Sequence, residues 1–185
     1  MKNIEVELKF HIPKHSDLLN FLEKEGEFVG EFYQKDSYFA PSHQDWFATE
    51  KIEKWLRIRE SDKGNSINYK HWKYRENENL NYCDEYNTNI GEADQIEKIL
   101  TALDIKPIIV VDKHRQSFMY QGVEISLDEV AELGSYVELE MKGKFTSPEE
   151  ARVELYRLAE SLGLKREWQD QKGYPWLLLE KNGII

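Results

Sequence analysis

Glu5, Glu7 and Lys9 alternate with Ile4, Val6, Leu8 and Phe10 near the start of the chain. Successive side chains of a β-strand point to opposite faces, so this spacing lines up two carboxylates and an ammonium on one side and four apolar groups on the other. Glu138, Glu140 and Lys142 repeat the order late in the chain. Arg57 and Arg59 share a face in Lys54–Glu60, and Lys113 and Arg115 share one further on. Like charges stacked at i and i+2 cost free energy unless something binds them, which favours a ligand. Lys9, Arg57, Arg59, Lys70, Lys113 and Arg115 supply cations for a polyphosphate, and arginine adds a planar fork for bidentate contact with phosphate oxygens. Glu5, Glu7, Asp128, Glu138 and Glu140 supply hard oxygen ligands suited to Mg²⁺ or Mn²⁺. Both sets in one cavity imply a metal-bound polyphosphate. Catalysis there would rest on positioning and on metal and arginine stabilisation of developing charge.

The rest of the chain must place those groups. Its 185 residues are most simply one domain, residues 1–185, long enough to bury a core. A net charge of -10 argues against non-specific binding to nucleic acid or to an anionic membrane, since both need positive fields. Cys83 is the single cysteine, so no internal disulfide can form and a reduced thiol is the default. The N-terminus shows no apolar signal segment, and no run approaches the ~20 apolar residues that span a bilayer. A cytoplasmic protein is expected.

Pro13 and Ser16 open an amphipathic helix carrying Leu18, Leu19, Phe21 and Leu22, which Gly26 ends. Glu27 to Ala40 reads as a strand, a polar loop runs to about Lys51, and the arginine strand turns back at Ser61 to Asn65. Ser66 to Tyr74 and Tyr82 to Asn89 form the next two strands, joined by the polar stretch Arg75 to Asn81. Gly91 to Leu103 is a second helix with Ile96, Ile99, Leu100 and Leu103 as its stripe. Ile108 to Tyr120 is a long strand, and Gln121-Gly122 is a hairpin turn into Val123 to Asp128. Tyr136 to Lys142 is the last long strand. Ser147, Pro148, Glu149 and Glu150 start a third helix reaching about Leu162, and Lys172 to Glu180 closes the chain. Hairpin-length connections make the sheet of about eight strands mainly antiparallel.

Strands with one charged and one apolar face fit two arrangements. The charges can face water around an apolar core, or the sheet can close so that its charged face lines a wet interior while helices cover the outside. The scattered histidines have no metal-ligand spacing, and the five tryptophans read as packing residues.

In order along the chain, Glu5-x-Glu7-x-Lys9, Gln34 to Phe39, Leu56 to Arg59, Lys113-His114-Arg115, Ser126-Leu127-Asp128 with Leu133 to Glu140, and Lys172 to Leu178 resemble the motifs of the CYTH family, the triphosphate tunnel enzymes. The likeness is nearest to the class IV adenylyl cyclase-like members. What it implies is an α+β fold, an eight-stranded antiparallel closed β-barrel with helices packed outside, whose tunnel holds a nucleoside or organic triphosphate. On that analogy Glu5, Glu7, Asp128, Glu138 and Glu140 are catalytic and bind one or two Mg²⁺ or Mn²⁺ ions, with Asp128 either a ligand or an orienting group. Lys9, Arg57, Arg59, Lys70, Lys113, Arg115 and Lys172 bind the triphosphate, and Glu85 is a further site residue. Lys70 is preferred to Lys73 for the fourth-strand lysine. The resemblance implies conversion of ATP to cyclic AMP and pyrophosphate, with hydrolysis of thiamine triphosphate, inorganic triphosphate or a nucleoside triphosphate as the alternative, and a non-catalytic binding module as a third. A homodimer is allowed; neither nucleic acid nor membrane is an expected partner.

Overall fold

A computed structural model describes residues 5–48, 52–73 and 82–185. Ile4, the end of the polar loop at Lys51, Tyr74 and the stretch Arg75 to Asn81 therefore lie outside the described residues. The strands are β1 (Glu7–His11), β2 (Glu27–Pro41), β3 (Lys54–Ser61), β4 (Asn65–Lys73), β5 (Tyr82–Ile90), β6 (Ile105–Tyr120), β7 (Val123–Val130), β8 (Gly134–Met141) and β9 (Gln169–Asp170). The helices are α1 (Ser16–Glu25), α2 (Ala93–Ala102), α3 (Pro148–Ser161) and α4 (Tyr174–Lys181). The strands form one antiparallel sheet in the order β5-β4-β3-β2-β6-β7-β8-β1-β9.

Two expectations need correcting. The sheet has nine strands, because Gln169 and Asp170 pair with Phe10 and Lys9. Two residues are too short a run to show periodicity. Closure into a barrel is not made by hydrogen bonds: the order ends at β5 and β9, and among the described residues no ladder joins those edges. The C-terminal segment from Tyr174 is the helix α4.

By contact the chain divides into two compact units, one comprising Glu5–Phe32 and Lys113–Gly173, the other including Tyr33–Asp112 and Tyr174–Ile185. In the first, α3 packs on β1 and β8. Its start follows from local chemistry, since the Ser147 hydroxyl accepts the Glu150 N–H at 3.2 Å, Pro148 follows it, and Glu149 and Glu150 sit at the positive end of the helix dipole. Ala151, Leu155, Leu158 and Ala159 recur at helical spacing and are buried, as are Leu8, Phe10, Val137 and Leu139. Between β6 and β7 the chain reverses at Gln121 and Gly122, both at positive φ (50° and 78°), which a two-residue primed turn requires. In the second unit, Ala93 and Leu100 of α2 join Phe39 and Ile58 in a core edged by Leu56, Ile67 and Ile96. Each unit thus uses one face of its strands for a helix-covered core. The charged residues occupy the other.

Candidate functional site

The charged face is not a solvated exterior. Lys9 is 8% exposed, Lys113 5% and Asp128 0%, all in the Glu5–Phe32 and Lys113–Gly173 unit, and Asp36 in the other unit is 2% exposed. Charges are almost never buried this far unless paired, and all four have partners of opposite sign or polar contacts.

In the first unit the registers set the geometry. Arg115 stands opposite Asp128, Ser126 opposite Glu138, and Glu138 opposite Lys9. Lys113 Nζ donates to Asp128 Oδ2 at 3.0 Å, while Arg115 grips the same carboxylate in bidentate fashion, Nε to Oδ1 at 2.6 Å and Nη2 to Oδ2 at 2.5 Å. Arg115 Nη2 also donates to Glu138. Burial by itself would raise the Asp128 carboxyl, but Lys113 and Arg115 override it and hold that group far below the usual carboxylate range. Glu138 is held down by Arg115 and Lys113 in the same way, again against its burial. Lys9 Nζ donates to the Lys172 carbonyl oxygen and lies 5.7 Å from the centre of the Tyr136 ring. Burial pushes its ammonium down, against the pull of Asp170 and Glu138.

Farther along the same face Glu124, Glu140 and Glu7 are in register on three adjacent strands. Like charges placed directly opposite destabilise a sheet, and Lys142 compensates them, its Nζ lying 2.5 Å from Glu140 Oε1 and 3.5 Å from Glu124 Oε2. Burial pushes the Glu140 carboxyl up, the bond from Lys142 pulls it down and the charge of Glu5 adds to the rise, so the net direction is upward.

In the second unit Asp36 receives both arginines of β3. Arg57 Nη1 donates to Oδ2 at 3.0 Å, and Arg59 donates through Nε to Oδ1 and through Nη2 to Oδ2, each at 2.6 Å. Burial works against the Arg57 charge, yet Asp36 and Tyr38 hold its pKa above the ordinary value. Asn68 Nδ2 donates to Glu85 Oε1 at 2.5 Å, and Lys70 Nζ lies 3.8 Å from Glu85 Oε2, the two residues being opposite each other across β4 and β5. Lys73 falls at the other parity of β4 and its Nζ contacts the His71 ring. That places Lys70, not Lys73, beside Glu85.

The expected residues thus gather in groups: Lys9, Lys113, Arg115, Asp128 and Glu138; Glu7 and Glu140, with the charge of Glu5 felt at Glu140; Arg57 with Arg59; Lys70 with Glu85. Lys172 enters through its backbone carbonyl, and the residue itself is exposed. His114 points away from Lys113 and Arg115, its Nε2 2.6 Å from Glu31. Sequence reasoning gave no role to Asp36, Asn68, Glu124 or Lys142. The signals were present: Asp36 shares the parity of Phe32 and Tyr38, both buried, and Lys142 completes a second Glu-x-Glu-x-Lys run.

For a divalent ion the donor chemistry fits, since Glu7 of β1, Glu138 and Glu140 of the neighbouring β8, and Glu5 two residues before β1 offer hard carboxylate oxygens. Among the described residues no three His, Cys, Asp or Glu side chains converge on one point; Glu138 and Glu140 are instead held by Arg115 and Lys142.

The chain belongs to the CYTH domain family, whose model matches residues 3–174. It is 26% identical over 183 residues to "Putative adenylate cyclase MJ0240" of Methanocaldococcus jannaschii, spanning 98% of this chain and 99% of that one. Among solved structures it superposes on the PH1819 protein of Pyrococcus horikoshii with a TM-score of 0.78 and 27% identity, covering 96% of this chain and 99% of the other. The "Putative adenylyl cyclase HpAC1" of Hippeastrum, whose description names a dominant triphosphatase activity, shares the fold at 18% identity, with a TM-score of 0.67 and coverage of 97% and 95%. Members of this family act on triphosphates.

Proposed function

We propose that this chain, as one domain, is a divalent-metal-dependent enzyme converting ATP to cyclic AMP and pyrophosphate in a triphosphate tunnel, and that it is cytoplasmic. The observation that carries the reading is the pairing of Arg57 with Arg59 and of Lys113 with Arg115, each pair set on a buried carboxylate. Sheet faces that merely meet solvent have no need of buried basic pairs, whereas a polyanion does.

In this mechanism Arg57, Arg59, Lys70, Lys113, Arg115 and Lys9 bind and orient the triphosphate, with Lys172 at its margin and Glu85 holding Lys70. Glu5, Glu7, Glu138 and Glu140 would hold Mg²⁺ or Mn²⁺. Bound there, such an ion would supply charge neutralisation at the phosphates and would lower the pKa of the attacking hydroxyl. The ribose 3′-oxygen forms a bond to the α-phosphorus as the bond to pyrophosphate breaks, and the hydroxyl proton passes to solvent water. Lys113 and Arg115 balance the negative charge that builds on the phosphate oxygens. Asp128 has both oxygens engaged by cations, so its proposed role is to orient them.

Hydrolysis of the terminal phosphate is the second reading, favoured by the triphosphatase activity named for the Hippeastrum relative of the same fold. Incubation with ATP and Mn²⁺, with cyclic AMP, pyrophosphate and orthophosphate separated, decides between them. Cyclic AMP and pyrophosphate in equal amounts are expected. Orthophosphate without cyclic product sinks the cyclase reading, and tight binding with no product leaves a binding module.

Arg57→Ala is expected to raise KM for the triphosphate by about tenfold to a hundredfold, the worth of a lost charge-assisted hydrogen bond, with a smaller change in kcat. Steady-state kinetics check this. Unchanged KM would move Arg57 out of the binding face.

A further inference from the structure

Asp36 and Asp128 occupy matching places in the two units. Asp36 stands opposite Arg59 and Asp128 opposite Arg115, and in each case the basic residue two positions earlier, Arg57 or Lys113, donates to the same carboxylate. The cations lie further out than the acids in the arginine cases. The Arg57, Arg59 and Arg115 side chains are 18%, 19% and 15% exposed, against 2% and 0% for the carboxylates beneath them.

A guanidinium has five N–H donors in a fixed plane. Asp36 takes Arg59 by the edge carrying Nε and Nη2 and does not engage Nη1. It takes Arg57 by Nη1 alone, and Arg57 Nε is buried without a hydrogen-bond partner among the described residues. One carboxylate therefore fixes the plane of the Arg59 fork and anchors Arg57 at one nitrogen, with Tyr38 as a second hydrogen-bond partner of Arg57, while other donors on both guanidiniums stay uncommitted to Asp36.

We infer that Asp36 is a positioning residue for the triphosphate, holding Arg57 and Arg59 so that their remaining donors meet its oxygens, and that Asp128 does the same for Lys113 and Arg115. This rests on the triphosphate reading given above. The rival role is neutralisation, in which Asp36 only relieves repulsion between two arginines. The two roles predict opposite signs. If Asp36 only neutralises, its removal leaves a more positive pair and a polyanion binds more tightly. If it positions, removal frees two flexible side chains that binding must order again, and affinity falls.

Asp36→Asn removes the charge, and Asp36→Glu keeps it while moving the carboxylate outward by one methylene. The second variant answers the question even if the first fails to fold. Titration calorimetry with tripolyphosphate and Mg²⁺ should show Kd raised about tenfold in Asp36→Asn, the lower end of what losing an outer partner costs at a metal site. A smaller rise is expected in Asp36→Glu, and in turnover assays the change should fall on KM more than on kcat. Unchanged Kd in Asp36→Glu, or a lower Kd in Asp36→Asn, overturns the positioning role while the triphosphate reading stands. Failure of the unaltered protein to bind tripolyphosphate overturns both.

Discussion

Asp128→Ala is expected to lose about 3 to 5 kcal/mol of stability at neutral pH, because it strips a buried counter-charge from two cations at once. Arg115 keeps Glu138 as a partner, so the group most exposed to the loss is Lys113, which is 5% accessible. In urea the midpoint should fall by about 1 to 2 M for a chain of this size. The pH dependence follows from the sign of the shift. The folded-state pKa of Asp128 is depressed, so its contribution is complete above the ordinary aspartate value of about 3.9 and is lost as pH falls from there toward the folded value. Glu140 works the other way, its raised pKa making the folded state relatively better as that carboxyl protonates. Comparing the two proteins separates these effects: the urea midpoint of the unaltered chain should drop between about pH 5 and 3 more steeply than that of Asp128→Ala. Equal midpoints for the two proteins at pH 7 would mean that the pair contributes nothing.

How much of this could be read from the sequence depends on the range of each signal. Period-2 alternation placed β3, β7 and β8 within a residue or two and β1 within three, and helical spacing with caps placed α1, α2 and α3. Those patterns are local, and they told correctly which face Arg57, Arg59, Lys113 and Arg115 share. They carry nothing about which acid sits opposite which base. Asp128 read as either a metal ligand or an orienting group, and what no pattern foretold is that the register of β6 against β7 puts both its oxygens on cations. Register depends on turn length and on both strands together, which single-strand patterns do not report. Asp36 was overlooked for the same reason, since its importance comes from β3, about twenty residues on. The duplicated Glu-x-Glu-x-Lys run was visible, but its consequence was not: antiparallel pairing sets Lys9 against Glu138, opposite in sign, but Glu7 against Glu140, alike in sign, and Lys142 supplies the cation beside that second pair. The ninth strand and α4 left no usable trace, one being two residues long and the other starting at Tyr174-Pro175-Trp176 without a polar cap signal.

Glu138→Ala should give the opposite result to Asp128→Ala although the two carboxylates share Arg115. Arg115 remains gripped through Nε and Nη2 by Asp128, and Lys9 keeps its bond to the Lys172 carbonyl, so no cation is stranded. Its side chain is also 18% accessible, and the methylenes removed leave little buried void. The urea midpoint should therefore stay within about 0.5 M of the unaltered protein, as for substitutions that leave no buried group unpaired. Turnover should fall by about a hundredfold to a thousandfold, the usual cost of removing one group that stabilises transition-state charge. Under the proposed reading Glu138 is a metal ligand and acts only when ion and substrate are bound, and the same applies to Glu5→Ala. The measurement is kcat with ATP and Mn²⁺ beside the urea midpoint of the same preparation. Loss of turnover that tracks loss of stability would make Glu138 part of the scaffold, and retained turnover would remove it from the reaction. The contrast between two acids on one guanidinium, one needed for the fold and the other for the chemistry, is what distinguishes a working site from a buried ion-pair network.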